Sequence, residues 1–309
     1  MTTSLITHSD CLDHISPEGH PECAERLERV LGASEDVDFD NLLRIDAPLA
    51  IFDQIKLVHD ENHFQNISNN LPIAGNAFID GDTYLSAGSE KAALRATGAV
   101  CQAIDRIIEG DIRNAFCAVR PPGHYAEPDH AMMGFCLFNS PAIGAIYARM
   151  HHFMHGVAII DFDVYHGNCT QTVAEKTKGL FYGSIHQSPL YPRTGHIHDQ
   201  GNGVIVNIPL AAGSGSNAFC RAFESRILPE LDEFKPDLLI VSARFDAHTL
   251  DPLADLNLEV DDYYWSTREL MKIAKSHAKD RVVSTIEGGY NLGIIGECAK
   301  AHVSALMEE

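Results

Sequence analysis

The stretch Val157-Ala-Ile-Ile-Asp161-Phe-Asp163 decides the fold. Four apolar residues run directly into two carboxylates set two positions apart. A short apolar run with no polar alternation is the pattern of a strand buried on both faces. Such a strand needs neighbours of the same kind, and the chain has them. Ala115–Val119, Leu180–Ser184, Val204–Ile208, Leu238–Ser242 and Val282–Ile286 are predicted strands of similar character. Amphipathic stretches separate them. Ser89–Ile108 places Ala93, Ala96, Val100 and Ile104 at helical spacing, and Ser140–His152, Ser216–Phe234 and Asp261–His277 are further predicted helices. Strand alternating with helix predicts an α/β protein with a doubly wound, mainly parallel sheet and helices on both faces. No repeat, low-complexity tract or linker interrupts the pattern, so residues 1–309 read as one domain.

Asp161 and Asp163 share a face of an extended chain. For one such carboxylate the ordinary explanation is a cap on the next helix. The wider pattern argues for more. Arg120-Pro-Pro-Gly-His124 follows the first predicted strand, and Ser184-Ile-His186 ends the third. Arg244-Phe-Asp246 follows the fifth and Glu287-Gly-Gly-Tyr290 the sixth. Ligands of open α/β sheets bind outside the carboxyl ends of the strands, so five loops should converge on one pocket. Carboxylates meeting there repel one another unless a cation lies between them. Oxygen ligands with room for a nitrogen suit zinc or another divalent first-row metal, whose bound water can attack a carbonyl. His124 is the candidate base and Tyr290 the candidate donor to an oxyanion. A structural histidine and a packed tyrosine are the ordinary alternatives at these two positions.

Lys plus Arg number 23 against 43 Asp plus Glu, a formal charge of -20. That balance disfavours nucleic acid, which is bound through basic patches, and suits cationic ligands; solubility alone is the plain alternative. The eight cysteines form no CxxC pair, and the start of the chain has no secretory pattern. No apolar run is long enough for a membrane span. Reduced thiols and a cytoplasmic location are the expectation.

Six motifs in order bear a family likeness. They are Arg120-Pro-Pro-Gly-His124, Gly134-Phe-Cys-Leu-Phe-Asn139, Asp161-Phe-Asp-Val-Tyr-His-Gly-Asn168, Ser184 to Pro192, Phe245 to Leu253, and Glu287-Gly-Gly-Tyr-Asn291. With His20-Pro-Glu and Arg26 near the start, the chain resembles the histone deacetylase superfamily on its class II side, which includes bacterial deacetylases and acetylpolyamine amidohydrolases. The resemblance implies the arginase–deacetylase fold and zinc-dependent removal of acetyl groups from acetyl-lysine or acetylated amines. It implies zinc on Asp163, Asp246 and the residue at position 165, and a structural potassium on Asp161, Asp163 and Ser184. His124 would be the first of a histidine pair, and Tyr290 would hold the amide carbonyl. Gly134, Phe135 and Tyr191 would line the acyl tunnel.

The chain departs from this pattern at sensitive positions. Tyr125 stands where the second histidine of the pair is expected, and Tyr165 where the nitrogen ligand is expected. Cys169, Arg193 and Arg244 stand where glycine is expected. A phenol ionises near pH 10 against about 6.5 for imidazole, so Tyr125 is a poor base. Tyr165 could ligate only as phenolate. His166 is a substitute ligand only if neighbouring strand residues point the same way, which they do not. Residues replacing glycine cost about 1–3 kcal/mol where φ is positive. Two readings follow: a working or weakened deacetylase, and an impaired member that keeps the fold and the pocket. Restoring both histidines is the expected route to a large gain in turnover.

Overall fold

The computed structural model describes residues 2–128 and 133–308. Ten strands are present among them: β1 (Thr3–Thr7), β2 (Leu43–Asp46), β3 (Ala77–Phe78), β4 (Tyr84–Leu85), β5 (Asn114–Cys117), β6 (Val157–Asp161), β7 (Leu180–Gln187), β8 (Val204–Leu210), β9 (Leu238–Ala243) and β10 (Val282–Ile286). Eight form one sheet in the order β2-β1-β5-β10-β9-β6-β7-β8, and every pairing in it is parallel. The six predicted strands are all present, β6 and β10 with the expected bounds and the other four with ends shifted by one to three residues. β5, β6, β9 and β10 are buried along their whole length, as their unbroken apolar runs require. β1 and β2 lack that signal in sequence. β1 mixes threonine and serine with two aliphatic residues, and β2 is a largely exposed edge strand.

Helices flank the sheet. The helix Ser89–Glu109 packs on the helix Ser140–His151, while Ala24–Ala33 and Val260–Ile273 pack on Ile295–Met307. Local chemistry sets their ends. Gly110, at φ 85°, stops the first. The Asn139 side chain accepts from Ala142 N at 2.9 Å and starts the second, with Pro141 in its opening turn.

The sheet order places β5, β10, β9 and β6 side by side, so their carboxyl ends form one crevice. A buried ionic cluster braces the loops above it. Glu22 is fully buried and takes a two-pronged contact from Arg120, at 2.9 and 2.7 Å, and a third from Arg26 Nη1 at 3.1 Å. Tyr84 donates to the same carboxylate at 2.9 Å. Arg26 also donates to the carbonyls of Gly289 and Glu287, each at 2.6 Å, which ties this cluster to the loop after β10. Removing one member of such a cluster leaves the others charged and without a partner. Glu22→Ala is therefore expected to lower the unfolding free energy by about 3–5 kcal/mol in equilibrium urea denaturation. A change below about 1 kcal/mol would show that the two arginines find other partners.

Candidate active site

β6 ends at Asp161, and two tight turns follow. Asp163 N donates to Asp161 Oδ1 at 3.1 Å, and Tyr165 N donates to Asp163 Oδ1 at 2.6 Å. Both carboxylates are thereby held in the crevice, fully buried. Asp246, in the loop after β9, joins them there, and its Oδ1 accepts from Val164 N at 3.0 Å. His124 lies in the loop after β5, with Nδ1 at 3.0 Å from Asp161 Oδ2 and Nε2 at 3.8 Å from Asp163 Oδ2. Glu287, at the end of β10, accepts from Gly123 N at 2.5 Å and His124 N at 3.2 Å and fixes that loop.

Arg244 changes the meaning of this cluster. It follows six buried residues of β9 and is itself fully buried. Its Nε lies against Asp163 Oδ2, its Nη1 is 3.6 Å from Asp246 Oδ2, and its Nη2 is 4.0 Å from Glu287 Oε2. The cation between the carboxylates is a guanidinium. Burial works against that charge, but Asp163 and Asp246 outweigh it and hold Arg244 well above the usual arginine range. Asp163 is pushed up by burial and by its carboxylate neighbours against the pull of Arg244, and burial pushes Glu287 up to about 7. Burial and Arg244 bring His124 down to about 4, so its ring is neutral at neutral pH.

A metal ion does not fit the residues as they stand. Among the described residues, His124, Asp161 and Asp163 are the three whose ligand atoms come within 4.8 Å of one another. His124 Nδ1 is already bonded to Asp161, and Asp163 Oδ2 already meets Arg244. Of the expected set, Asp163 and Asp246 both approach Arg244, while Tyr165 is bonded elsewhere. Tyr165 turns away and donates from its hydroxyl to Leu253 O at 2.5 Å, and burial raises its phenol above the usual range. His166 also points elsewhere, bonded to Thr194 Oγ1 and Gln171 Oε1 at 2.8 Å each.

A cavity of about 250 Å³ rises from this centre, lined by Tyr125, Gly134, Phe135, Tyr165, Tyr191, Arg244, Leu253 and Tyr290, with Asp82 at its mouth. Gly134, Phe135 and Tyr191, which the resemblance places along a tunnel, and Tyr290, the candidate donor, thus meet in one place. Tyr125 lies over the guanidinium, its ring centroid 5.5 Å from Arg244 Cζ, and packs edge-on to Tyr191 at 5.6 Å. A Cβ on Gly134 would lie 2.2 Å from the Tyr125 ring, so only glycine admits the tyrosine there. Ser184 on β7 is the register partner of Asp161 on β6, and its Oγ is 2.9 Å from His186 Nδ1.

The three residues in place of glycine differ in consequence. Arg193 has φ 69° and carries backbone strain, yet it is exposed and outside the cavity lining. Cys169 sits in the helix Asn168–Lys176 with no positive φ. Arg244 acts through its side chain. Asp82 and Leu253 were not singled out from sequence. Asp82 arrives on the β3–β4 hairpin, and no local pattern announces it.

The profile of the histone deacetylase domain matches residues 20–306. "Histone deacetylase 14, chloroplastic" of Arabidopsis thaliana is 35% identical, over 99% of this chain and 77% of its own length. "Type-2 histone deacetylase 2" of Dictyostelium discoideum is 32% identical over 99% of this chain, which spans only 21% of that relative. The crystal structure of the HDA15 HD domain superposes with a TM-score of 0.93 at 31% identity, covering 99% of this chain and 89% of that one. The parallel sheet, the crevice at its carboxyl ends and these matches lead to one assignment: the chain belongs to the histone deacetylase family.

Proposed function

We propose that this chain is a histone deacetylase family member that keeps the acyl-binding cavity and has lost metal-dependent hydrolysis. On this reading it holds an acetylated lysine or acetylated amine without cleaving it. The observation that carries the reading is the Arg244 guanidinium between Asp163 and Asp246. Zinc-dependent deacetylation would require Arg244 to leave its partners, and unpairing a buried charge costs about 3–5 kcal/mol. Proton transfer is also poorly provided for. Tyr125 stands at the base position, and burial raises its phenol well above the usual range. His124 is buried beneath Tyr125, the two ring centroids 3.9 Å apart, and its Nε2 has no hydrogen-bond partner. A structural potassium between Asp161 on β6 and Ser184 on β7, the family pattern, is part of this reading; the two residues are register partners.

Two measurements test this reading. Metal analysis of the purified chain is expected to find well below one zinc per chain, with an unfolding temperature indifferent to a chelator and no acetate released from acetyl-lysine peptides or acetylpolyamines. About one zinc per chain together with turnover at ordinary enzyme rates would sink it. The second measurement uses variants. Tyr125→His/Tyr165→His restores the histidines but leaves Arg244 on Asp163, so the structure adds a third position to the expected pair. The double variant is expected to stay metal-poor, and adding Arg244→Gly is expected to raise zinc to about one per chain, the stoichiometry of a catalytic site. Full zinc in the double variant alone would show that Arg244 is no obstacle.

A further inference from the structure

Two histidines outside the cavity hold one of its walls. His59 precedes the helix Glu61–Asn69 and His63 lies in its first turn. Both are buried, with their rings stacked 4.3 Å apart. They face the segment Met133–Asn139, which brings Gly134 and Phe135 to the cavity. Asn139 N donates to His59 Nε2 at 2.9 Å, and His59 Nδ1 donates to Glu127 O at 3.1 Å. His63 Nε2 donates to Leu137 O at 2.7 Å, and Asp60 N to Pro128 O at 3.0 Å. These bonds grip the chain before and after the two lining residues. Phe138 packs against both rings, its centroid 5.7 Å from His59 and 5.8 Å from His63.

The bonds to His59 fix its proton. A carbonyl only accepts, so Nδ1 carries the hydrogen; a backbone N–H only donates, so Nε2 is bare. A proton added at Nε2 would set one N–H against another and break the bond from Asn139. Asn139 matters beyond that bond, because its side chain accepts from Ala142 N and donates to Thr170 Oγ1 at 3.0 Å. The surroundings of His59 favour the bare nitrogen. Burial is the largest influence and the His63 ring the next, with only the Glu127 carbonyl acting the other way. Together they hold His59 well below the usual imidazole range. The neighbouring carboxylates are engaged elsewhere, Asp60 on His63 N at 2.8 Å and Glu127 on Asn168 Nδ2.

We infer that His59 is a positioning residue for the cavity wall: it seats Met133–Asn139 only as a neutral ring, and acid releases that wall. This role is independent of whether Arg244 excludes a metal. Its pH dependence has a definite sign. The seated wall excludes the proton, whereas a released wall leaves an ordinary imidazole that takes one up near pH 6.5. Seating is therefore at full strength above about pH 6.5 and weakens about tenfold per pH unit below it.

Cys136 reports on the wall. It is buried within the segment, its Sγ 3.3 Å from Gly134 O, so a thiol reagent reaches it when the wall is released. The test is the labelling rate of the folded chain relative to the urea-unfolded chain at the same pH, with each cysteine resolved by peptide mass mapping. Protection of Cys136 is expected to fall about tenfold between about pH 7.5 and about pH 5.5. Cys117, buried in β5, is the control and is expected to change less than about twofold. His59→Gln keeps an amide donor for Glu127 O and an amide acceptor for Asn139 N but cannot gain a proton. It is expected to hold the protection of Cys136 constant over the same range. A flat profile in the unaltered chain overturns the role of His59, as does a fall shared equally by Cys117 or a profile that survives His59→Gln. If His59→Gln does not fold, His63→Gln takes its place: a profile kept there supports His59 as the titrating ring, and a profile lost there overturns it.

Discussion

Arg244 lies in full burial against Asp163, with Asp246 3.6 Å away, and the centre of the sheet is built around that contact. Mutual repulsion would drive these carboxylates apart or neutralise them in a dry site. A guanidinium supplies the missing charge from within the chain. The fold keeps its carboxylates at the strand ends, and on the proposed reading the chemistry they would serve with a metal is withdrawn. The other departures fit the same arrangement. Tyr125 covers the guanidinium, and Tyr165 is bonded to Leu253 O in place of turning to the carboxylates. Gly134 leaves the space that Tyr125 fills.

The scaffold beneath is unaltered in kind. β5, β10, β9 and β6 stand side by side and deliver Gly123 and His124, Glu287, Arg244 and Asp246, and Asp161 and Asp163 to one crevice. Glu22 with Arg26 and Arg120 holds the loops above them, through contacts between residues about 100 and 260 positions apart in the chain. The cavity on this frame is lined with aromatic rings, and on the proposed reading it holds a ligand without cleaving it. Its acidic mouth agrees with the sign of the whole chain, whose formal charge is -20.

Much of this was legible in the residues. Strands buried on both faces announce themselves as apolar runs, and the residues just after them were the ones the structure brings together. The substitutions at 125, 165 and 244 were also visible, but their outcome was not. Whether an arginine replaces an ion or swings clear of it depends on what faces it across two neighbouring strands. The direction of Tyr165 depends on a carbonyl at Leu253, and the presence of Asp82 depends on a hairpin folded over the cavity mouth. One signal for Arg244 was available: a permanent charge directly after the largely apolar run Leu238–Ala243 of a central strand must find buried partners.

The most direct measurement is a crystal of the chain grown with excess zinc, with diffraction recorded on both sides of the zinc absorption edge. The account predicts guanidinium density between Asp163 and Asp246 and no anomalous peak there. A zinc peak between those two carboxylates, with the Arg244 side chain displaced, would contradict it.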